Sequence, residues 1–354
     1  MINQKQMKSD SKKYIFFLVI GVVLGFLLTI IILYTNFLGL TTDNLTNSPF
    51  VAESRLDNHK YKFTRPLLGS LYGDDTEALK WFPAERNLKS LVQDVVSEDP
   101  KTKTSVFFLN LNNSGWFSIN ATDTFIPASL LKLPMLMSYY KLSETEENLF
   151  DQKINYNGEN YNKLKNLGNG TITPGNTYTV RELMEEMIIN SDNNALQLLY
   201  KYRQESLKSI FADMKMALPD TEDEIASGDF LTTRDIGRFL LVLYNSSYLT
   251  ADNSEEALEI LSRSVFKDGI VAGVPSNIVV SHKFGERTLA EKDKALKSEL
   301  HDCGIVYHPR VPYVICVMTK GSDLDSEKLQ IQKISKIIYN GVDSFASSNV
   351  GKDK

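Results

Sequence analysis

The order of predicted elements in the globular part constrains the fold more than any other feature of this sequence. The segment "TSVFFLNLNNSGWFSIN" has two apolar runs around Asn-Asn-Ser-Gly and predicts a β-hairpin. Residues from roughly 127 to 263 repeat apolar positions at helical spacing. Strand patterns then return in "NIVVSHKFG", "CGIVYHP" and "PYVICVMTKG".

A hairpin of two strands cannot bury one of its faces alone. We therefore predict that the early hairpin joins the three late strands in one five-stranded antiparallel sheet. The first and last helical patterns, "NLKSLVQDVVSE" and "SEKLQIQKISKIIYNGV", would cover one face of that sheet. The inserted helical region would cover the other face, which gives an α/β fold flanked by helices.

The N-terminal region contains an uncharged apolar run, "IFFLVIGVVLGFLLTIIILY", over residues 15–34. A helix of that length spans roughly 30 Å, the thickness of the hydrocarbon core of a membrane. Lysines precede the run and none follows it directly, which places the N-terminus in the cytoplasm. A cleaved signal peptide is the alternative, but the run is long and "NFLGLTTDN" lacks a small-residue cleavage pattern.

These patterns divide the chain into five parts. They are a cytoplasmic tail (1–13), a transmembrane signal anchor (14–38), an extracellular stalk (39–86), a globular domain (87–345) and a polar tail (346–354).

Charge and cysteine content exclude several classes of function. The formal net charge is −5 without a basic excess in the globular part, which argues against a nucleic-acid partner. The four histidines are scattered and the two cysteines do not have metal-ligand spacing, so we predict neither a metal nor another cofactor. Cys303 and Cys316 lie on successive predicted strands. We expect two buried free thiols, and a cross-strand disulfide is the alternative.

The stretch "FIPASLLKLPMLMSYY" places Ser129 and Lys132 one turn apart on one face of a predicted helix. Ser-x-x-Lys occurs four times in the chain, but only here does it begin an apolar helix just after a proline. A lysine in apolar surroundings loses its charge more easily and can act as the base for a serine. Taken alone, however, the stretch favours a lysine that snorkels to the surface.

Two further motifs follow in the chain. Ser191-Asp192-Asn193 lies between two helical patterns, where a helix N-cap would be reason enough for these residues. Lys283 and Gly285 close a β-rich run in "VVSHKFGE". Glycine on a strand permits close backbone approach, although an edge strand protected by charge would explain the lysine equally well.

The ordered trio resembles the penicillin-recognising serine hydrolases, which include class A β-lactamases and penicillin-binding proteins. Their three motifs are Ser-x-x-Lys, Ser-Asp-Asn and Lys-Thr-Gly. The similarity extends through "DFLTTRDIGRFLLVLY" and "DCGIVYHPRVPYVICVMTKG" and covers about residues 87–341. It implies the β-lactamase/transpeptidase-like fold, a β-lactam or D-Ala-D-Ala-type peptide as substrate, and a catalytic domain outside a bacterial cell membrane.

The resemblance also implies roles for the motif residues. Ser129 would be the acylated nucleophile and Lys132 its base. Ser191 would pass a proton to the leaving nitrogen, and Asn193 would bind the amide side chain of the substrate. Lys283 would attract a substrate carboxylate.

The oxyanion hole would consist of two backbone N–H groups, those of Ser129 and Glu286. Gly285 would let the substrate-binding strand approach closely. Phe284 stands where the family has Thr or Ser and cannot donate a hydrogen bond. Carboxylate recognition must then weaken or come from elsewhere, such as Arg287.

Class A β-lactamases free the acyl-enzyme with a glutamate in a Glu-x-x-x-Asn pattern. The corresponding segment, "MALPDTEDEIASGDFLTTRD", has no asparagine. Glu222 and Glu224 are candidate deacylation bases, and solvated loop acids are the alternative interpretation.

Three functions follow from these patterns. The first is a membrane-anchored serine hydrolase of the β-lactamase type, and the second is a D,D-peptidase acting on peptidoglycan stem peptides. The third is a catalytically impaired protein that binds wall fragments or β-lactams. The oligomeric state stays open.

Overall fold

The computed structural model describes residues 53–55, 61–65, 67–70, 83–163, 167–289 and 297–349. The predicted transmembrane segment lies outside these residues. Within the part of the chain that is described, no helix is both long and apolar enough to cross a membrane.

A five-stranded antiparallel sheet forms the centre of the domain, in the strand order β4-β3-β9-β8-β7. The early hairpin thus pairs with the late strands, and the predicted sheet is confirmed. The nine described strands are β1 (Glu53–Arg55), β2 (Leu67–Ser70), β3 (Lys103–Asn110), β4 (Trp116–Ile119), β5 (Lys153–Asn155), β6 (Thr177–Thr179), β7 (Val280–Leu289), β8 (Lys297–Val306) and β9 (Tyr313–Gly321).

Helices lie before, between and after the strands of the five-stranded sheet. Between β4 and β7 they form the predicted helical insertion. The described α-helices are α1 (Pro83–Glu98), α2 (Lys132–Ser143), α3 (Val180–Ile189), α4 (Asn193–Tyr202), α5 (Glu205–Asp213), α6 (Glu222–Ser227), α7 (Thr233–Tyr244), α8 (Ala251–Ser262) and α9 (Leu324–Asn349). Helix α9 therefore extends into the stretch that the sequence predicts as a polar tail.

Two hydrophobic cores lie on opposite faces of the sheet. Successive strand residues point to opposite faces, and Phe107 and Phe108 of β3 accordingly belong to different cores. Phe108 packs in a core that includes Val92 of α1 and Ile334 of α9. Phe107 belongs to the core formed with the insertion, which includes Leu136 of α2. The terminal helices and the insertion thus cover the two faces as predicted.

The expectation of two free thiols is wrong. Cys303 on β8 and Cys316 on β9 are directly paired residues in the sheet register, and their sulfurs form a disulfide. Antiparallel pairing brings directly opposite side chains within a few ångströms of each other, so two cysteines at paired positions are within bonding reach. Both residues are fully buried.

A short segment ahead of α1 packs on the domain. The carboxylate of Glu255 on α8 accepts hydrogen bonds from the backbone N–H groups of Lys62, Phe63 and Thr64, and from the Thr64 hydroxyl. The Phe63 ring is buried and meets Tyr307 edge to face, with 5.3 Å between the centroids. Part of the predicted stalk is thus held against the domain.

Candidate active site

The candidate nucleophile lies on the turn that leads into α2. Ala128–Leu131 form a 3-10 turn, and α2 begins at Lys132, whose backbone N–H donates to the Ser129 carbonyl. Ala128 has φ 49°, a left-handed conformation that costs a residue with a Cβ atom some free energy. Ser129 is partly exposed, whereas Lys132 is completely buried. The structure therefore contradicts a snorkelling Lys132.

Two buried side chains of β8 hold the segment that enters this turn. The Ile126 N–H donates to Glu299 Oε2 at 3.1 Å. His301 Nδ1 accepts from the Thr319 N–H, so its Nε2 carries the hydrogen and donates to the Ile126 carbonyl at 2.9 Å. Neither residue is among the site residues predicted from the sequence. Their signal is weak: they are polar residues two apart on a strand, on one face, at positions that prove to be buried.

The hydroxyl of Ser191 lies between two lysine ammonium groups. Its Oγ is 3.1 Å from Lys132 Nζ and 3.0 Å from Lys283 Nζ. Lys132 also donates to the Ser191 carbonyl at 2.6 Å and to Asn193 Oδ1 at 2.8 Å. The three sequence motifs therefore meet at one point in the fold.

Asp192, the middle residue of the second motif, is the N-cap of α4, as the capping alternative expects. Its side chain accepts from the Ala195 N–H at the start of α4, at 2.8 Å. It also accepts from the Ile172 N–H and from the Asn162 side chain. With Asp192 fixing the loop, Ser191 is held at φ 53°, in the left-handed region, and its side chain faces the lysines.

Burial shifts the pKa of both lysines. Desolvation lowers the pKa of Lys132 to about 7, and the negative charge of Asp192 opposes that shift. Desolvation also lowers the pKa of Lys283 well below its usual value, and the charge of Lys132 adds to the effect, while Asp302 and Glu286 oppose it. A lysine with a pKa near 7 is neutral in a large fraction of molecules at neutral pH and can then accept a proton.

Strand β7 passes directly beside the turn of Ser129. A Cβ atom added to Gly285 would lie 2.9 Å from the Pro127 carbonyl oxygen and 3.2 Å from the Leu130 nitrogen. Only a glycine permits that approach without a shift of the backbone. The backbone of β7 at Gly285 is therefore adjacent to the turn that carries Ser129.

The Phe284 ring lies in the core, with the Lys283 Nζ atom 4.0 Å from its centroid. The ring is buried and stacks on Phe266, with 4.4 Å between the centroids, on the sheet face that packs against α1 and α9. The Phe284 carbonyl oxygen accepts from Lys283 Nζ at 2.9 Å. The third motif thus contributes an amine and a backbone, but no hydroxyl.

The two residues of β7 that follow Gly285 carry charged side chains towards neighbouring segments. The Glu286 carboxylate accepts from the Leu167 N–H at 2.6 Å. Desolvation raises the pKa of Glu286, and the Leu167 N–H, Lys328 and Lys283 oppose that shift. The Arg287 guanidinium donates to the Ala226 carbonyl on α6, so it is not an unengaged cation.

The structure separates the two candidate deacylation bases. Glu224 forms a capping box with Thr221 at the start of α6, which is a structural role. Glu222 lines a cavity of about 240 Å³ together with Ala128, the residue before Ser129. Ala226 lines the same cavity four residues after Glu222, at the position of the asparagine in Glu-x-x-x-Asn.

No group of three or more His, Cys, Asp or Glu side chains in the described ranges is arranged to hold a metal ion.

The fold and these contacts define a serine hydrolase fold of the class A β-lactamase type. The model of the beta-lactamase enzyme family matches residues 87–342, so the chain belongs to that family. No curated protein is detectably similar in sequence.

Solved structures resemble the chain at low identity. PBP-A is 20% identical with a TM-score of 0.63, covering 73% of this chain and 96% of that one. A class A beta-lactamase from Mycobacterium abscessus is 20% identical with a TM-score of 0.61, covering 73% and 99%. A representative of class A beta-lactamase from Bacteroides cellulosilyticus DSM 14838 is 20% identical with a TM-score of 0.62, covering 74% and 99%. Such identities establish the fold.

Proposed function

We propose that the chain is an active-site serine hydrolase that β-lactams acylate on Ser129, and that water then frees the acyl-enzyme. The observation that carries this proposal is the position of the Ser191 hydroxyl, within 3.1 Å of both Lys132 Nζ and Lys283 Nζ. A hydroxyl between two buried amines of lowered pKa is poised to relay a proton.

The acylation step balances with the residues present. Neutral Lys132 takes the proton of Ser129, and the freed Oγ attacks the amide carbonyl carbon. The backbone N–H groups of Ser129 and Glu286 would stabilise the oxyanion, each by about 3–4 kcal/mol at the transition state. The proton then passes from Lys132 through Ser191 to the leaving nitrogen, the C–N bond breaks, and an ester on Ser129 remains.

Hydrolysis of that ester needs a base that activates water. Glu222 is the candidate, because it shares a cavity with the turn of Ser129. Ala226 offers only a methyl group where the family pattern has an amide that helps hold the water. We therefore expect acylation to be faster than deacylation.

Intact-protein mass spectrometry of the ectodomain mixed with a penicillin tests the proposal. Wild type should gain the mass of one penicillin, and Ser129→Ala should gain none. Ser138→Ala is the matched control, because Ser138-x-x-Lys141 repeats the motif at a buried site whose hydroxyl donates to the Met135 carbonyl. Equal labelling of wild type and Ser129→Ala would refute acylation and favour a binding protein.

A second candidate function, a D,D-peptidase, is favoured by Ala226. Without a well-held water the acyl-enzyme persists, as it does in penicillin-binding proteins. A PBP-A mutant, 20% identical with a TM-score of 0.62, has been solved as an acyl-enzyme complex with penicillin G. An adduct that lasts for hours, together with release of D-Ala from a D-Ala-D-Ala peptide, would select the peptidase over the β-lactamase.

We also propose that residues 15–34 anchor the chain in a bacterial membrane with the catalytic domain outside. The uncharged apolar run and the disulfide between Cys303 and Cys316 support this location, because disulfides persist in oxidising compartments. Protease treatment of intact cells or protoplasts should remove the domain from the membrane fraction. Full protection of the domain would contradict the proposed orientation.

A further inference from the structure

We propose that this site selects acyl donors that carry no carboxylate on the carbon next to the leaving nitrogen, and that it prefers donors with a cationic group there. The inference rests on the proposed acylation of Ser129 and names the substrate class of that site. Four features of β7 and its surroundings carry it.

The first feature is the absence of a hydroxyl at the centre of the third motif. Phe284 is 2% exposed and its ring stacks on Phe266. The ring belongs to the core against α1 and α9 and carries no polar atom. This residue therefore offers no hydrogen bond to a bound substrate. A substrate carboxylate would lose a charge-assisted hydrogen bond here.

The second feature is the engagement of Arg287. Its guanidinium donates to the Ala226 carbonyl, the last turn of α6. To bind a carboxylate, Arg287 would have to give up this contact, which links β7 to the segment that carries Glu222. Arg287, two residues after the third motif, thus already has a hydrogen-bond partner on α6.

The third feature is a carboxylate at the position after Lys283-Phe284-Gly285. Glu286 is only partly exposed, and its Oε2 accepts from the Leu167 N–H at 2.6 Å, which holds the negative charge beside the edge of β7. Its charge acts on Lys283, and the charge of Lys283 acts on Glu286. A second carboxylate brought to Lys283 would meet Glu286 as a like charge, whereas an ammonium group would be attracted.

The fourth feature is that the lysine that should attract an anion already has partners. Lys283 is fully buried, donates to Ser191 and to the Phe284 carbonyl, and has a lowered pKa. With the donors of Lys283 engaged and the Glu286 carboxylate fixed beside the strand, the site favours neutral and cationic groups over anionic ones.

Three derivatives of one penicillin test this charge selection. They are the free acid, its methyl ester and its 2-aminoethyl amide, which place a negative, a neutral and a positive group at the same carbon. The measured quantity is the second-order rate constant of acylation from intact-protein mass spectrometry. For wild type we expect the amine derivative to react about tenfold faster than the free acid, with the ester between them.

Glu286→Gln removes the charge and keeps an oxygen that can accept from Leu167. We expect this variant to bring the rate ratio of the amine derivative to the free acid below about threefold, because a ratio cancels any effect of the substitution on the shared acylation step. A circular-dichroism spectrum and a Tm close to those of wild type show that the variant is folded. Glu259→Gln removes an equal charge from an exposed part of α8 and should leave the wild-type order unchanged.

Two results would overturn this inference without affecting the proposed function. One is fastest acylation by the free acid in wild type, and the other is an unchanged ratio in Glu286→Gln. If none of the three derivatives labels wild type more than Ser129→Ala, the proposed function fails, and this inference fails with it.

Discussion

Lys132 shows how a single buried residue can acquire the property that catalysis needs. It is 0% exposed, and desolvation lowers its pKa to about 7. Its three hydrogen bonds go to Ser191 and Asn193, both of which the sequence motif supplies. Burial, rather than a single charged neighbour, therefore lowers the pKa of the proposed base.

This pKa predicts how acylation depends on pH. Lys132 must be neutral to accept a proton, and below about pH 7 it is increasingly protonated. The acylation rate should therefore rise as the pH rises from 5 to 8, with a midpoint near 7. Stopped-flow acylation at constant ionic strength measures this profile. A flat profile would contradict the role of Lys132 as the base.

Ala226 leads to a second prediction for a single residue. Ala226→Asn restores the Glu-x-x-x-Asn pattern with Glu222 on the wall of the shared cavity. We expect deacylation to accelerate about tenfold because the amide helps to hold a water. The decay of the mass-spectrometric adduct measures this rate.

A double variant shows whether the gain depends on Glu222. Adding Glu222→Gln to Ala226→Asn should abolish the acceleration, because the base is lost. Adding Asp223→Asn, at the exposed neighbouring residue, should leave the acceleration intact. If the Asp223 variant had the same effect as the Glu222 variant, Glu222 would not be the base.

At the scale of elements, the contact between β7 and the turn before α2 places the reacting groups. Gly285 makes this contact possible, since an added Cβ atom would lie 2.9 Å from the Pro127 carbonyl oxygen. The strand supplies Lys283, and the turn supplies Ser129. A change in the spacing between the strand and the turn therefore changes the position of Lys283 relative to Ser129.

Gly285→Ala tests this contact. The methyl group should push β7 from the turn, lower the free energy of unfolding by about 1–3 kcal/mol and slow acylation about 100-fold. Gly158→Ala is the control, because its Cβ atom would meet only the Tyr156 ring, at 3.4 Å. Circular-dichroism melts and acylation rates measure the two effects. Wild-type acylation in Gly285→Ala would show that the close approach is dispensable.

Elements could be predicted from the sequence where local pattern decides them. Hairpin signals and helical spacing gave the five-stranded sheet and its two covering layers, and motif order led to Ser129, Lys132, Ser191 and Lys283. A local sequence pattern does not show which residues of two neighbouring strands pair with each other. The pairing of Cys303 with Cys316, which overturned the expected free thiols, depends on the register of the two strands.

The site details that the sequence left open depend on long-range packing. The Phe284 ring packs in the core by stacking on the Phe266 ring, and the two residues lie 18 positions apart in the chain. His301 and Ile126 meet across 175 residues. Such contacts have no signature in a window of local sequence.

At the scale of the whole molecule, residues 61–65, which precede α1, contact α7 and α8 of the domain. Glu255 receives the N–H groups of Lys62, Phe63 and Thr64, and the Arg65 N–H donates to the Tyr244 carbonyl on α7. A chain that begins at the family match, residue 87, would lack this segment and leave Glu255 without these donors.

Glu255→Ala should therefore destabilise the whole domain. Loss of hydrogen bonds to a charged acceptor and exposure of Phe63 should cost about 2 kcal/mol and lower the Tm by about 4–8 °C. Glu259→Ala is the control, because Glu259 on the same helix forms an exposed ion pair with Arg263, which contributes little. Calorimetry measures both. Equal Tm values for the two variants would mean that the 61–65 segment does not stabilise the domain.

The burial of the disulfide between Cys303 and Cys316 determines when its redox state can be set. Both sulfur-bearing residues are fully buried in the centre of the sheet, so a small reductant or oxidant reaches them only when the sheet opens. The bond state is then fixed while the chain folds and is retained afterwards. The thiol content of purified molecules, measured after unfolding in a trapping reagent, would record the compartment in which they folded, even if they were later moved to another.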